Sequence, residues 1–248
     1  MLQPYYRGIK LPLHPPVERF SRGRIGVGSG SDRGRTGVGS QRLRQVGFLV
    51  YNNGMKPLNI YTDGACSGNQ SQENIGGWGA ILEFGPAQKE LFGGQRNTTN
   101  NRMEMTALLA ALQAVTKENQ HIRVFSDSAY LMDCFRKKWY LEWQSNGWRT
   151  KAKKPVENKD LWEPLLVYLS RHHMDFYRVK GHVSLRQGEA LLRQGYAQFL
   201  EWNGTDFTYE EFLYITEKNH RADALANQGI DEIRKESFPE TLSDTPDY

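Results

Sequence analysis

The chain has 248 residues, a formal net charge of +4 and an apolar fraction of 38%, values that suit one large domain or two small ones of an ordinary water-facing protein. No apolar run can span a bilayer and the N-terminus lacks the apolar core of a secretory signal, so no membrane partner is expected. Two cysteines, Cys66 and Cys134, are too few for a disulfide framework or a zinc site, which points to a reduced, cytoplasmic setting.

Residues 1–54 read as a disordered, basic Gly/Arg-rich leader, poor in large apolar residues. The segment Arg22-Gly-Arg-Ile-Gly-Val-Gly-Ser29 recurs as Arg33-Gly-Arg-Thr-Gly-Val-Gly-Ser40. Three readings stay open for it: an organelle transit peptide, an RNA-binding Arg/Gly segment, or translated upstream sequence with Met55 as the natural start. The leader carries nine Lys/Arg against two acids, which leaves −3 for residues 55–248. The net positive charge is therefore no argument for nucleic-acid binding; only a local basic patch would be.

From Leu58 the pattern changes. Leu58–Asp63 alternates like a strand, and Gly76–Phe84 and Gln88–Phe92 flank Gly85 and Pro86 as a hairpin. Asn101–Val115 is helical by spacing, Ile122–Phe125 is a strand and Ser128 to about Lys138 a helix. Asp160–His172 is a further helix, Asp175–Val179 a strand, and His220 to about Lys235 the last helix. The order β-β-β-α-β-α-α-β-α implies an α/β fold, a mixed sheet with helices packed on it. The domain is expected over residues 55–236, with a flexible tail at 237–248.

Glu104 shares a helical face with Leu108, Ala111 and Val115, and Asp223 shares one with Ala226 and Ile230. Burying an unpaired carboxylate costs several kcal/mol or more. Asp63 and Asp127 each follow an apolar strand, and strand ends in α/β sheets are where sites form. Two readings follow from the residues alone. The acids pair with arginines, Arg102 being at hand, or they gather as hard oxygen ligands for Mg²⁺ or Mn²⁺.

Five motifs bear on that choice: Thr62-Asp-Gly-Ala-Cys-Ser-Gly-Asn69, Thr98-Thr-Asn-Asn-Arg-Met-Glu104-Met105, Phe125-Ser-Asp127-Ser128, Lys180-Gly-His182 and Asn219-His-Arg-Ala-Asp223-Ala-Leu-Ala226. In order and placement they resemble the successive motifs of type 1 ribonuclease H, over about residues 57–232. The resemblance implies a ribonuclease H-like fold with a mixed five-stranded sheet flanked by helices. It implies an endoribonuclease that hydrolyses the RNA strand of RNA–DNA hybrids and leaves 5′-phosphate and 3′-hydroxyl ends. Asp63, Glu104, Asp127 and Asp223 would ligate two Mg²⁺ ions in the substrate complex, with Mn²⁺ as a substitute. His182 would shuttle protons or help release the product phosphate, acting in a monomer.

The same resemblance puts Gly64, Cys66, Asn69, Asn100 and Asn101 in positions that contact the minor groove, where the 2′-hydroxyl tells RNA from DNA. No base adjoins Cys66, so a thiol nucleophile is not expected. Residues 136–154 carry seven Lys/Arg against one acid, interleaved with aromatic side chains, and resemble the family's basic handle. Trp139, Trp143, Trp148, Lys151, Lys153 and Lys154, with Lys180, are the expected phosphate- and sugar-gripping set. Ala129 departs from the pattern, which often has Gln there. The largest departure is an insertion at about residues 184–217, too apolar for a floppy loop, read as a helical hairpin that forms a lid or a partner surface. A non-catalytic hybrid- or duplex-binding module of the same fold is the alternative from another class. A nuclease domain cut from a reverse transcriptase or transposase is a third.

Overall fold

A computed structural model describes residues 56–67 and 74–237. The readings placed on residues 1–54, on Asn69 and on the tail from residue 238 lie outside the described residues.

Three strands open the domain: β1 (Leu58–Ser67), β2 (Ile75–Phe84) and β3 (Ala87–Arg96). They form an antiparallel meander whose β2–β3 turn places Gly85 at φ +58°. Helix α1 (Asn100–Gln113) starts at Thr99, whose hydroxyl accepts the Arg102 N–H at 3.3 Å. Strand β4 (His121–Ser126) then pairs parallel with β1, and β5 (His173–Arg178) parallel with β4, giving the order β3-β2-β1-β4-β5. Between them run α2 (Ala129–Arg136), capped by Ser128, then α3 (Trp139–Ser145) and α4 (Lys159–Arg171). The mixed five-stranded sheet expected from the sequence is thus present.

Alternation along the strands divides the core in two. Ile60, Ile122 and Val124 face one layer, where they pack with Leu108 and Leu112 of α1, Phe135 of α2 and Trp162 of α4. Tyr61, Phe125 and Val179 face the other, which holds Phe199, Phe207, Phe212 and Leu225. That second layer is built by α5 (Glu189–Asn203) and α6 (Tyr209–Ser237).

The insertion takes a form the sequence reading did not foresee. The last helix does not begin near His220. It begins at Tyr209 and runs 29 residues without a break. Thr208 and Glu211 form a reciprocal cap: the Thr208 N–H donates to Glu211 Oε2 at 2.8 Å, and the Glu211 N–H to Thr208 Oγ1 at 3.1 Å. The second arm of the expected hairpin is therefore the front of the last helix itself, and α5 is the one added helix. Phe199 is buried between Phe207 and Phe212, with ring centroids 5.1 and 5.6 Å away. Asn203 ties α5 to β5, accepting the Arg178 N–H and donating to the Arg178 carbonyl, each at 2.8 Å. The insertion thus completes a core layer. Phe199→Ala is expected to cost about 3–5 kcal/mol, read as a lower denaturation midpoint.

Helix α6 reaches the sheet through a floor of glycines. A Cβ on Gly79 would lie 2.2 Å from the Ala222 carbonyl oxygen, and one on Gly77 would lie 1.9 Å from that of Ala226. Backbone meets backbone there, and the approach fixes how deep α6 seats. Arg221 adds a paired contact to Glu90 at 2.7 and 3.0 Å.

Candidate active site

Each acid reaches the site by a different local route. Asp63 lies within β1 opposite Gly79, one residue past the Thr62–Ser126 pair at which the parallel ladder with β4 ends. This corrects its expected place at a strand end: β1 continues to Ser67, held by β2 alone. Asp127 is the first residue after β4. Glu104 lies near the start of α1, buried on every side of its turn. Asp223 projects from α6 above the glycine floor.

The carboxylate oxygens of Asp63, Glu104 and Asp127 lie within 4.8 Å of one another. Asp223 stands outside that tight triad but lines the same open cavity of about 380 Å³, together with Gly64, Cys66, Asn100 and His182. Asp63 and Glu104 are only 5% and 6% exposed. Asp223 is half-buried, which corrects its expected burial on an apolar helix face.

The electrostatics follow from the packing. Burial, then the charges of Asp127 and Asp223, push the Asp63 carboxyl up to about 8, although the Gly64 N–H donates to its Oδ1 at 2.7 Å. Glu104 is held well above the usual carboxylate range by burial and by its neighbours Asp63 and Asp127. Burial also raises Asp127, and the nearby His182 opposes that rise. Glu104 Oε2 and Asp127 Oδ1 are buried and have no hydrogen-bond partner among the described residues. Arg102 turns elsewhere: it donates to Asp160 at 3.0 Å and to Asn158 at 3.2 Å. Arg102 therefore pairs with Asp160 and not with the cluster, whose nearby positive groups, His182 and Arg178, act on Asp127.

Gly181 presses on this cluster. A Cβ there would fall 2.3 Å from Asp127 Oδ2. Gly181→Ala is expected to shift that carboxylate by about 1 Å and to lower the cleavage rate about 100-fold, with little change in the melting temperature. An unchanged rate would free Gly181 of that constraint. His182, the next residue, is exposed at φ +55° on the loop that leaves β5. Burial pushes the Cys66 thiol up, which agrees with its reading as a non-nucleophile.

The remaining expected residues divide. Asn101 is exposed and off the cavity wall, and Lys180 is exposed beside Gly181. Lys151, Lys153 and Lys154 are exposed on a tight loop closed by the Arg149–Pro155 bridge, away from the carboxylates. Trp139 is partly open, with Lys137 Nζ 5.5 Å above its ring, and Trp148 is half-buried under Lys159. Trp143 is a correction. It is only 9% exposed and packs on Trp162 at 5.5 Å, so it has no open face for a sugar.

The site also holds a residue that motif reading passed over. Asn227 lines the cavity and donates through Nδ2 to Asp223 Oδ1 at 3.2 Å. The available signal was its spacing, one helical turn after Asp223.

The ribonuclease H family model matches residues 55–192. The chain belongs to the ribonuclease H family. It is similar to the Ribonuclease H of Moorella thermoacetica, at 53% identity over 128 residues that cover 52% of this chain and 82% of the relative. It is similar to the Ribonuclease H of Rhizobium etli at 44% identity over 156 residues, 62% of this chain and all of that one. Among solved structures, the PFV RNase H domain is 23% identical with a TM-score of 0.49, covering 72% of this chain and 97% of that one. As a ribonuclease H family enzyme the chain is a nuclease of the hydrolase class. The family match stops at Leu192, in the first turn of α5, so Asp223 reaches the cavity through packing beyond the matched span. Among the described residues no helix of this ribonuclease H family member is long and apolar enough to cross a membrane.

Proposed function

We propose that this enzyme hydrolyses the RNA strand of RNA–DNA hybrids, working as a cytoplasmic monomer and leaving 5′-phosphate and 3′-hydroxyl ends. The observation that carries the reading is the cluster of buried Asp63 and Glu104 with half-buried Asp127, in which two buried carboxylate oxygens have no hydrogen-bond partner among the described residues. Such a cluster is unstable while ionised unless cations enter it, and an all-oxygen donor set suits Mg²⁺ or Mn²⁺. Asp63, Glu104 and Asp127, with Asp223 on the same cavity, would hold two such ions. When bound, they supply charge neutralisation and Lewis-acid polarisation of the phosphodiester. Asp63, Glu104 and Asp127 must surrender their protons to do this, which burial opposes. His182, exposed and beside Asp127, would move a proton toward the leaving 3′-oxygen as water adds to phosphorus.

Gly64, Cys66 and Asn100 on the cavity wall would meet the minor groove and its 2′-hydroxyls, with Asn69 and Asn101 extending that contact. Lys151, Lys153, Lys154 and Lys180 would hold phosphates, and Trp139 and Trp148 would offer rings to sugars. Replacing Lys151, Lys153 and Lys154 by Gln is expected to raise KM and to flatten the slope of log affinity against log salt by up to ~3. An unchanged slope would confine the handle to packing.

The deciding experiment offers labelled RNA–DNA hybrid, RNA duplex and DNA duplex, each with Mg²⁺ or Mn²⁺ and with EDTA. Cleavage confined to the hybrid's RNA strand and stopped by EDTA is the expected result. Persistent cleavage in EDTA would sink the metal mechanism. A hybrid bound but never cut would favour a non-catalytic binding module.

A further inference from the structure

Among the described residues a second group of metal-ligating side chains lies apart from the carboxylate cavity: His121, His173 and Asp175. It arises from strand register. His121 of β4 pairs with His173 of β5 in a parallel ladder, so both imidazoles leave the same sheet face. Asp175, two residues on, returns to that face. It is the face of Phe125 and Tyr177, which α5 and α6 cover further along the strands. The two rings lie 5.1 Å apart, tilted by 54°. Asp175 Oδ2 is 2.7 Å from His121 Nε2, and Asp175 Oδ1 is 3.8 Å from His173 Nε2.

We propose that His121, His173 and Asp175 form a second metal site, for a borderline divalent transition-metal ion such as Zn²⁺. Two imidazoles and one carboxylate are a donor set that Zn²⁺ accepts and that Mg²⁺, which demands octahedral oxygen, does not favour. Bonds of about 2.0–2.1 Å in a tetrahedron place neighbouring donors about 3.3 Å apart. One donor atom from each of the three side chains lies within 4.8 Å of the other two. Small rotations of side chains on paired strands would therefore close the site. The side chains of His121, His173 and Asp175 are 30%, 46% and 39% exposed, which leaves room for water as a fourth ligand.

The site is distinct from the catalytic one by position and by chemistry. His121 opens β4 and Asp127 follows its end, a separation of roughly 20 Å at about 3.3 Å per residue. A metal here would staple β4 to the edge strand β5, whose far end leads to Gly181 and His182. Metal that binds only the folded state raises the melting temperature by mass action. The competing account is a plain His–Asp ion pair with no affinity for metal.

The test uses the full chain, stripped with chelator and returned to excess Mg²⁺ so that hard-ligand sites are filled. Zinc chloride is titrated by calorimetry into the wild-type chain, His173→Ala and His121→Ala, with circular dichroism to verify folding. The expected result is one Zn²⁺ per wild-type chain that Mg²⁺ does not displace, a higher melting temperature, and altered ring signals of His121 and His173 by NMR. Each variant should weaken binding by more than the ~10–100-fold typical of losing an outer-shell partner. If either variant misfolds, Asp175→Asn and the wild-type ring signals still decide. Zinc binding that is absent, that Mg²⁺ abolishes, or that survives in the variants would overturn the proposal.

Discussion

Asp63→Asn is expected to abolish cleavage while leaving hybrid binding intact, and to make the metal-free protein more stable. Losing an acid that holds a catalytic ion removes several kcal/mol of charge stabilisation, so the rate should fall at least ~1,000-fold. Binding should survive, because the exposed lysines and the rest of the cavity wall are untouched. The stability gain comes from the other side of the same physics. Asp63 has a carboxyl pushed up to about 8 by burial and by two acidic neighbours. A raised carboxyl pKa means the folded state holds a proton that the unfolded chain releases near pH 4. Stability from that proton is complete below the unfolded value and drains away as pH rises toward about 8. Asn is neutral at every pH and its Oδ1 can still accept the Gly64 N–H. Melting curves of both proteins in EDTA should therefore coincide near pH 4 and separate as pH rises, by a few kcal/mol at most above pH 8. Saturating Mg²⁺ should shrink or reverse the gap, since the wild-type cluster gains a counter-ion and the variant does not. A variant that loses binding together with cleavage, or that melts lower in EDTA at pH 8, would assign Asp63 a structural role.

Gly79→Val should damage the fold and the site together. Its Cβ would enter the Ala222 carbonyl at 2.2 Å and approach Leu225 Cβ at 2.7 Å. Neither the strand nor the helix backbone can yield cheaply. Overpacking against side chains typically costs about 1–3 kcal/mol, and a backbone clash belongs at or above the top of that range. The displaced element is α6, and Ala222 is the residue before Asp223. The variant should lose stability and, in whatever fraction remains folded, turn over slowly because the fourth carboxylate has moved off the cavity wall. Thermal melts and single-turnover cleavage on the soluble fraction separate the two effects. Normal turnover per folded molecule would show that Asp223 does not depend on this floor.

Periodicity and punctuation were enough for the meander, α1, β4 and the helices around it, because each carries its own local signal. Leu58 to Asp63 alternates, Gly85 turns the hairpin, and Thr99 and Ser128 cap their helices. The start of α6 was equally local: Thr208-Tyr-Glu-Glu211 spells the capping box that forms there. It was hidden by a motif, since Asn219–Ala226 drew the helix start toward itself. Gly76 to Gly79 read as part of a strand, but nothing in the segment announces which backbone will lie on it.

The chain by itself determined which residues are candidates for the chemistry. Four acids, a Lys-Gly-His turn and a basic, aromatic stretch are chemical identities, and an ordered set of motifs is legible without coordinates. It also determined the sheet, because a period of two or of 3.6 is a property of neighbouring residues. Only the tertiary structure decided the geometry among distant residues. It drew Asp63, Glu104 and Asp127 into one triad and left Asp223 half-buried on the same cavity. It sent Arg102 to Asp160, sank Trp143 into the core, and turned the insertion into a second aromatic layer. The physical reason is the same in each case: burial and charge pairing depend on what another segment brings into contact, and no local pattern encodes the partner.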